Sequence, residues 1–121
     1  MATRKQEPES LLPLTAPVFG VLLALADSQL HGYGIMQSLR EKTEGRERLL
    51  PGSLYATIAR MIEDGLIEEA SAPTGAASSG PSRRYYRRTP FGKAVARAET
   101  ERMRHLVKLA QSEKLLGGSS R

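Results

Sequence analysis

The sequence predicts a mainly α-helical domain with one small β-hairpin and a long helix at its C-terminal end. Three observations support this prediction. The segment from Pro51 to Arg88 reads in turn as an amphipathic helix, a strand, a turn-rich loop and an arginine-rich strand. Two shorter helical patterns precede it, and a long amphipathic pattern from Pro90 to Leu116 follows it. A helix beside a basic two-stranded ribbon is the arrangement of a winged helix-turn-helix.

The composition limits the classes of protein that the chain can represent. Its 121 residues, 40% of them hydrophobic, suit one domain with a modest core, which a partner subunit would stabilise. The absence of cysteine excludes disulfides and thiolate metal sites and fits a cytoplasmic protein. No apolar stretch reaches the roughly 20 residues of a membrane-spanning helix, and no secretory signal is visible, so no membrane contact is expected.

The positive charge is concentrated in one part of the chain. The formal net charge of +5 favours a polyanionic partner, although the same charge also serves solubility. Segment 71–97 holds six basic residues and no acidic one, whereas segment 44–69 holds three basic and six acidic residues. We therefore expect phosphate attraction to come mainly from the ribbon rather than from the helix before it.

The first helix is predicted to begin after Thr15, a favourable N-cap, and to run to about Asp27. It is apolar nearly all round, whereas a helix in a small domain has one core face to bury. Two interpretations stay open: the helix lies at the centre of the core, or its second face packs against another subunit. The second interpretation makes Val18 and Leu22 candidates for a dimer interface.

Two glycines between His31 and Gly34 predict a tight turn, because glycine adopts backbone angles that other residues resist. A second helix then runs to about Thr43. It ends at Gly45, which suits a left-handed cap.

The third helix is predicted from Gly52–Ser53 to Asp64–Gly65. Helical spacing places four apolar residues on its core face: Leu54, Ile58, Met61 and Ile62. The residues that point away from the core or lie at its margin are Ser53, Ala56, Thr57, Arg60 and Glu63. Tyr55 lies at the border of the core face.

The ribbon is predicted to begin with Leu66 and Ile67, which enter the core. Segment 71–82 consists of small and turn-forming residues and is predicted to be a mobile wing tip. Strand alternation then places Arg84, Tyr86 and Arg88 on one side, and Arg83, Tyr85 and Arg87 on the other.

The last helix is predicted to start with Thr89 as its N-cap and Pro90 in its first turn. At about 1.5 Å per residue it is roughly 40 Å long and overhangs a small domain, so its apolar stripe needs a second subunit. Candidate interface residues on the stripe are Val95, Leu106 and Leu109. Arg102 and Glu113 interrupt the stripe, and they either bend out into water or pair with each other across a dimer seam.

These patterns divide the chain into a flexible N-terminal arm at 1–13, a winged helix-turn-helix domain at 14–89, a dimerisation helix at 90–116 and a disordered tail at 117–121. Asp27 and Asp64 both lie at helix ends, and His31 and His105 are isolated in the sequence. Neither a paired-carboxylate site nor a metal centre is therefore predicted. We expect a protein that is not an enzyme and that needs no cofactor.

Four stretches in a fixed order resemble the PadR family of bacterial transcriptional regulators. They are His31–Ile35, Pro51–Tyr55, Asp64–Glu68 and Arg83–Arg87, and they are followed by Thr89 and Gly92–Lys93. Each stretch alone is weak evidence for the family, whereas the ordered set is strong evidence. The resemblance extends from roughly Leu14 to Lys93, about two-thirds of the chain. The single C-terminal helix resembles the smaller branch of that family.

This resemblance implies a homodimeric winged-helix repressor that binds double-stranded DNA at a palindromic operator. The helix that starts at Ser53 would enter the major groove, the ribbon would lie along an adjacent minor groove or the backbone, and the last helix would join the subunits. Some members release DNA when a small molecule binds near the dimer interface, so an effector is implied as well. The chain departs from the family pattern at Arg88, where an apolar residue is usual; its side chain would point with Tyr86 toward the core unless it extends to the surface.

The candidate DNA-contacting residues are Ser53, Tyr55, Ala56, Thr57, Arg60, Arg83, Arg84 and Arg87. Ser53 either caps its helix or meets a phosphate, and Tyr55 either packs half-buried or reaches a phosphate. Arg60 reads guanine, contacts the DNA backbone or pairs with a neighbouring acid. The ribbon arginines either bind phosphate or protect a strand edge. The competing function is a winged-helix module that binds another protein without contacting DNA.

Overall fold

The computed structural model describes residues 7–72 and 84–116. After a 3₁₀ turn at Pro8–Leu11, the elements are α1 (Ala16–Ala24), β1 (Leu30–His31), α2 (Gly32–Lys42), α3 (Pro51–Glu63), β2 (Ile67–Ala70), β3 (Tyr85–Arg88) and α4 (Pro90–Ser112). The strands form one antiparallel sheet in the order β1-β3-β2. This arrangement confirms the predicted helical domain with a small hairpin and adds one short strand, β1, to it.

The hydrophobic core lies between α1, α2 and α3, with contributions from β2 and the first half of α4. Its largest fully buried apolar side chains are Val21, Leu22, Ile35, Leu54, Met61, Leu66, Ile67 and Val95. The core face predicted for α3 is confirmed except at Ile62, which is 39% exposed because it lies at the edge of the buried stripe. Within the described ranges, no helix is both long and apolar enough to cross a membrane.

α1 is a central core helix over most of its surface. Thr15 caps it by accepting a hydrogen bond from the Val18 N–H at 3.3 Å, as predicted, but the helix ends at Ala24 rather than near Asp27. Leu22 has no exposed surface within the single chain. Its assignment to a dimer interface is therefore wrong, because a side chain that its own subunit covers completely has nothing left to contact a partner. Val18 is half-buried and keeps some surface.

The predicted tight turn at His31–Gly34 is instead the start of α2. The His31 Nδ1 atom accepts a hydrogen bond from the Gly34 N–H at 3.0 Å and so acts as the helix N-cap. The glycine at position 32 is explained by close approach: a Cβ there would lie 2.5 Å from the Tyr55 hydroxyl oxygen. The other end of α2 agrees with the prediction, since Gly45 has a φ of 81° after the helix ends.

The segment before α1 differs from the predicted flexible arm. Residues 8–11 form a 3₁₀ turn that packs against α4, and Leu11, Leu12 and Leu14 are partly buried against the core. The Leu14 N–H donates a hydrogen bond to the Glu99 carboxylate at 2.9 Å. The arm prediction overlooked that three leucines within four residues can bury apolar surface on a neighbouring helix. Residues 1–6 of the predicted arm lie outside the described residues.

The two strands of the wing are short, and β2 begins at Ile67, one residue later than predicted, while Arg84 precedes β3 rather than lying in it. Glu68 lies opposite Arg87 and Glu69 lies opposite Tyr86 in the β2–β3 register. Leu66 and Ile67 are buried, as predicted. Most of the predicted mobile wing tip, together with Arg83, lies outside the described residues, as does the predicted tail at 117–121.

α4 begins as predicted, with the Thr89 hydroxyl accepting a hydrogen bond from the Gly92 N–H at 2.9 Å. Its 23 residues correspond to about 35 Å of helix. Val95 is completely buried in the subunit core, so its assignment to the dimer interface is also wrong. Leu106 and Leu109, by contrast, are 48% and 51% exposed.

Candidate nucleic-acid interface

The outward face of α3 is the centre of the candidate interface. Ser53, Ala56 and Arg60 are exposed and Thr57 is half-buried, so these four lie where the helical spacing predicted them. The opposite face of the helix is held in the core by Leu54. α3 is therefore fixed by one side and presents small, polar and cationic side chains on the other, which is the arrangement that reading a DNA groove requires.

The start of α3 lacks a side-chain cap. The helix begins at Pro51 with Leu50 as its N-cap, and Ser53 is the third helical residue. The interpretation of Ser53 as the N-cap is therefore wrong. The first intrahelical bond runs from the Leu54 N–H to the Leu50 carbonyl at 2.8 Å, so the N–H groups of Gly52 and Ser53 precede it and carry the positive end of the helix.

Tyr55 packs against α2 while keeping about half of its surface exposed. Its hydroxyl lies against Gly32 in the first turn of α2, and 53% of the residue is accessible. The side chain thus bridges α3 and α2, which supports the packing interpretation. Contact of its hydroxyl with a phosphate stays a prediction.

Arg60 is only loosely engaged by its neighbour. Its Nε atom lies 4.0 Å from the Asp64 carboxylate, and 75% of its side chain is exposed. An exposed ion pair of this length contributes little free energy. The guanidinium is therefore available to a ligand at the surface of α3.

The wing arginines are paired with acids of the neighbouring strand. The Arg87 Nε atom lies 2.7 Å from the Glu68 carboxylate, and an Arg84 guanidinium nitrogen lies 3.6 Å from the Glu69 carboxylate. The described part of the wing is therefore less positive than the count over segment 71–97 suggested. The acids stand before the loop in the sequence, and only the antiparallel register places them beside the arginines.

The inner side of β3 carries one buried tyrosine and one arginine that reaches outward. Burial, together with the nearby Glu69 carboxylate, raises the pKa of Tyr86 above its ordinary value, so its hydroxyl is protonated at neutral pH. Arg88 is half-buried and extends a guanidinium nitrogen to 3.5 Å from the Ala26 carbonyl. This confirms that Arg88 reaches the surface rather than ending in the core.

Arg102 has a partner within its own chain. Its guanidinium donates to both oxygens of Glu99, at 2.6 and 3.1 Å, one turn earlier on α4. Glu113 is the C-cap residue of α4 and is exposed. The cross-subunit pairing of Arg102 with Glu113 stays a prediction. Reversing the charge of Arg102 would also disturb Glu99, so that substitution alone does not test a contact between subunits.

Glu99 is a buried carboxylate that sequence analysis missed. It is 2% exposed and accepts hydrogen bonds from Arg102 and from the Leu14 N–H. The Arg102 hydrogen bond, with help from the Leu14 N–H, holds the pKa of Glu99 below its ordinary value. The signal was present in the helical spacing, since Glu99 lies four residues after the buried Val95 and three before Arg102.

The part of the chain that the structure describes contains no cluster of three His, Cys, Asp or Glu side chains placed to hold a metal ion. The candidate interface therefore consists of the outward face of α3 and the described part of the wing.

Sequence and structure comparisons give a consistent result. The chain matches the Transcriptional regulator PadR-like family over residues 21–98. It is similar to the transcriptional regulator Rv3488 of Mycobacterium tuberculosis, with 37% identity over 83% of this chain and 82% of that protein.

Solved structures share the fold. A PadR family transcription regulator from Clostridium difficile aligns with a TM-score of 0.68 and 26% identity, over 81% of this chain and 97% of that one. The structure of Bacillus subtilis PadR in complex with operator DNA aligns with a TM-score of 0.58 and 18% identity, over 75% of this chain and 48% of that one. The family consists of transcriptional regulators rather than enzymes. The exposed α3 face, the wing and these matches together place the chain in the PadR-like family of transcriptional regulators.

Proposed function

We propose that this regulator is a homodimer that binds a palindromic operator and represses transcription. The observation that carries the proposal is the exposed face of α3. It is held to the core on one side, and on the other it presents Ser53, Ala56, Thr57 and Arg60 with no bulky apolar residue among them. A surface of this kind fits a major groove, where small residues permit close approach and an arginine reads guanine through two hydrogen bonds.

The wing extends this contact to the DNA next to the groove. Arg84 and Arg87 are more than half exposed even though each is close to an acid, and arginine forks suit phosphates and narrow minor grooves. A phosphate that approaches either guanidinium competes with the Glu68 or Glu69 carboxylate. We therefore propose a supporting role for the described wing arginines rather than the leading one.

The second half of α4 supports a dimer. Its exposed large apolar residues are Leu106, Val107 and Leu109, and the exposed Leu115 and Leu116 follow just after the helix ends at Ser112. Exposed large apolar side chains grouped at one end of a helix are costly in water and are typical of a surface that another subunit covers. Two copies related by a two-fold axis would place two α3 helices on successive half-sites of one operator.

The comparisons support DNA binding as the mode of action. Bacillus subtilis PadR, which shares this fold, was crystallised with operator DNA, and the Mycobacterium tuberculosis relative is a transcriptional regulator. We transfer operator binding to this chain on the strength of its family membership and its α3 surface.

We also propose that a small-molecule effector binds at the subunit seam. The residues of the seam restrict which effectors can bind there. The stretch 101–116, which would form the seam, contains no Phe, Tyr or Trp. An aromatic cage for a cation is therefore not available from this stretch. An aliphatic effector, or control by a partner protein, fits this seam better.

Footprinting on the DNA upstream of the gene that encodes this chain, combined with light scattering of the purified protein, tests the proposal. We expect a protected region with two half-sites about one helical turn apart and a mass of twice 13.2 kDa. A monomer that protects no DNA at low ionic strength would contradict the proposal.

One observation favours the alternative of a protein-binding winged helix. The pairing of Arg84 and Arg87 with Glu69 and Glu68 lowers the positive charge that DNA would attract. The same footprinting experiment separates the two functions, since a protein-binding module leaves the upstream DNA unprotected at every salt concentration.

A further inference from the structure

Two arginines outside the proposed interface line one groove beside the start of α3. Arg40 lies in the last turn of α2, and Arg48 lies in the linker between α2 and α3. They enclose a groove of about 170 Å³ together with Tyr33, Met36, Gln37, Leu49 and Leu50. The lining therefore combines two cations with uncharged residues and includes no acid.

Neither guanidinium is neutralised within the described residues. The cations that form ion pairs there are Lys42, Arg60, Arg84, Arg87, Arg102 and Arg104, each with a carboxylate nearby. Arg40 and Arg48 belong to none of these pairs, and both are exposed. Each keeps its full set of N–H donors for a ligand, whereas the wing arginines already share theirs with Glu68 and Glu69.

The groove adjoins the helix that is proposed to enter the DNA. Leu50 is both a lining residue and the N-cap of α3. In a helix-turn-helix the second helix enters the major groove and the helix before it crosses the backbone. A duplex that receives the first turns of α3 therefore brings one of its strands to this groove. Tyr33, 60% exposed, and the exposed Gln37 add uncharged hydrogen-bonding groups there.

We propose that Arg40 and Arg48 form a phosphodiester-binding site that anchors one DNA strand beside α3. This inference rests on the proposed function and names the residues that hold the backbone in it. The ligand is a pair of phosphate oxygens, which an arginine fork binds through two parallel hydrogen bonds. The site contributes more to salt-dependent affinity than Arg84 and Arg87, because its cations have no acid to give up.

The test measures binding of the full chain to fluorescent duplexes by anisotropy between about 50 and 200 mM salt. One duplex carries the upstream DNA and the other a scrambled sequence. R40A/R48A is expected to bind both about 10-fold to 100-fold more weakly, with a salt slope smaller by about 1.8, because each lost phosphate contact removes about 0.9. R84A/R87A is expected to change the slope less. R40K/R48K is expected to keep most of the slope, since the charge remains.

The matched control is R46A/R97A, which removes the same charge from two exposed positions outside the groove and the seam that form no ion pair among the described residues. It is expected to leave the slope within about 0.5 of the wild-type value. Circular dichroism and thermal melting check the fold of every variant, and R40Q/R48Q replaces the alanine variant if that one melts early.

The outcomes separate this inference from the function on which it rests. A wild-type protein that binds neither duplex overturns the proposed function. A wild-type protein that binds DNA, with an unchanged salt slope in R40A/R48A or an equal loss in R46A/R97A, overturns the groove alone. A selective loss in R40A/R48A supports it.

Discussion

The two halves of α4 differ in what surrounds them. From Pro90 to Arg102 the helix packs against the rest of its own subunit. Val95 is fully buried there, and Glu99 accepts a hydrogen bond from the segment before α1. After Arg102 the large apolar residues Leu106, Val107 and Leu109 are exposed, Leu109 by 51%. One continuous helix therefore serves as a core element in its first half and presents an uncovered apolar surface in its second. Packing changes in the middle of the helix, not at its first residue, where the sequence had suggested a domain boundary.

The largest expected effect tests the buried half at its closest contact. A Cβ added at Gly92 would lie 2.0 Å from the Leu66 carbonyl oxygen, which is backbone and cannot rotate away. We expect Gly92→Ala to lower the free energy of unfolding by about 3 kcal/mol or more in urea denaturation. Gly52→Ala is the matched control, since nothing lies within 4 Å of a Cβ there. Equal stability of the two variants would show that α4 does not pack closely against the Leu66 backbone.

The exposed half is tested by placing a charge on its apolar stripe. Leu109→Asp is expected to raise the dimer dissociation constant by about 30-fold, equivalent to about 2 kcal/mol, because a carboxylate would be buried in the seam. Gln111→Asp makes the same change in charge at an exposed position turned away from Leu109. Sedimentation at several concentrations measures both. The monomer of Leu109→Asp should unfold like the wild-type subunit; a loss of subunit stability instead would mean that this half also belongs to the core.

Glu99 tests the connection between the buried half and the segment before α1. Glu99→Gln keeps an oxygen for the Leu14 N–H but loses the charge that faces Arg102, so we expect a loss of about 1 to 2 kcal/mol in the free energy of unfolding. The control is Glu101→Gln, two residues after Glu99. It breaks the exposed ion pair with Arg104 and should lower the free energy of unfolding by less than about 0.5 kcal/mol. Similar losses in the two variants would show that burial adds nothing at position 99.

The smallest expected effect is the pH dependence of the same carboxylate. Because the pKa of Glu99 is lowered in the folded state, its ionised form contributes stability above the ordinary glutamate pKa of about 4.3. That contribution is lost as the pH falls through the lowered folded-state pKa. Wild-type stability should therefore fall more steeply than that of Glu99→Gln below about pH 4, by at most about 1.4 kcal/mol per pH unit. Parallel curves for the two proteins would contradict this assignment.

Much of the fold could be predicted from local signals. The Thr15 and Thr89 caps and the left-handed Gly45 are set by residues within a few positions of each other, and the structure confirms all three. The core face of α3 follows from helical spacing alone. These features were predictable because the physical cause of each lies inside a short stretch of sequence.

The candidate site was less predictable because its charges are paired over long separations. The acids beside Arg84 and Arg87 lie on the other side of a loop. Glu99, only three residues before Arg102, was missed for another reason, since it lies in an apolar stripe. Counting charge along the chain therefore overstated the positive charge of the wing. It also passed over Arg48, which lies in the acidic segment 44–69, and over Arg40, which precedes that segment, although both line a groove without an acid.

The sequence by itself determined the family, the order of the elements and the outward face of α3, since these depend on residue identity and spacing. Only the tertiary structure decided that Leu22 and Val95 are core residues, that the segment before α1 is held by Glu99, and which of the described arginines are left without an acid. Burial and ion pairing depend on residues far apart in the chain. They are settled when the helices and strands pack together, and spacing along one element does not contain them.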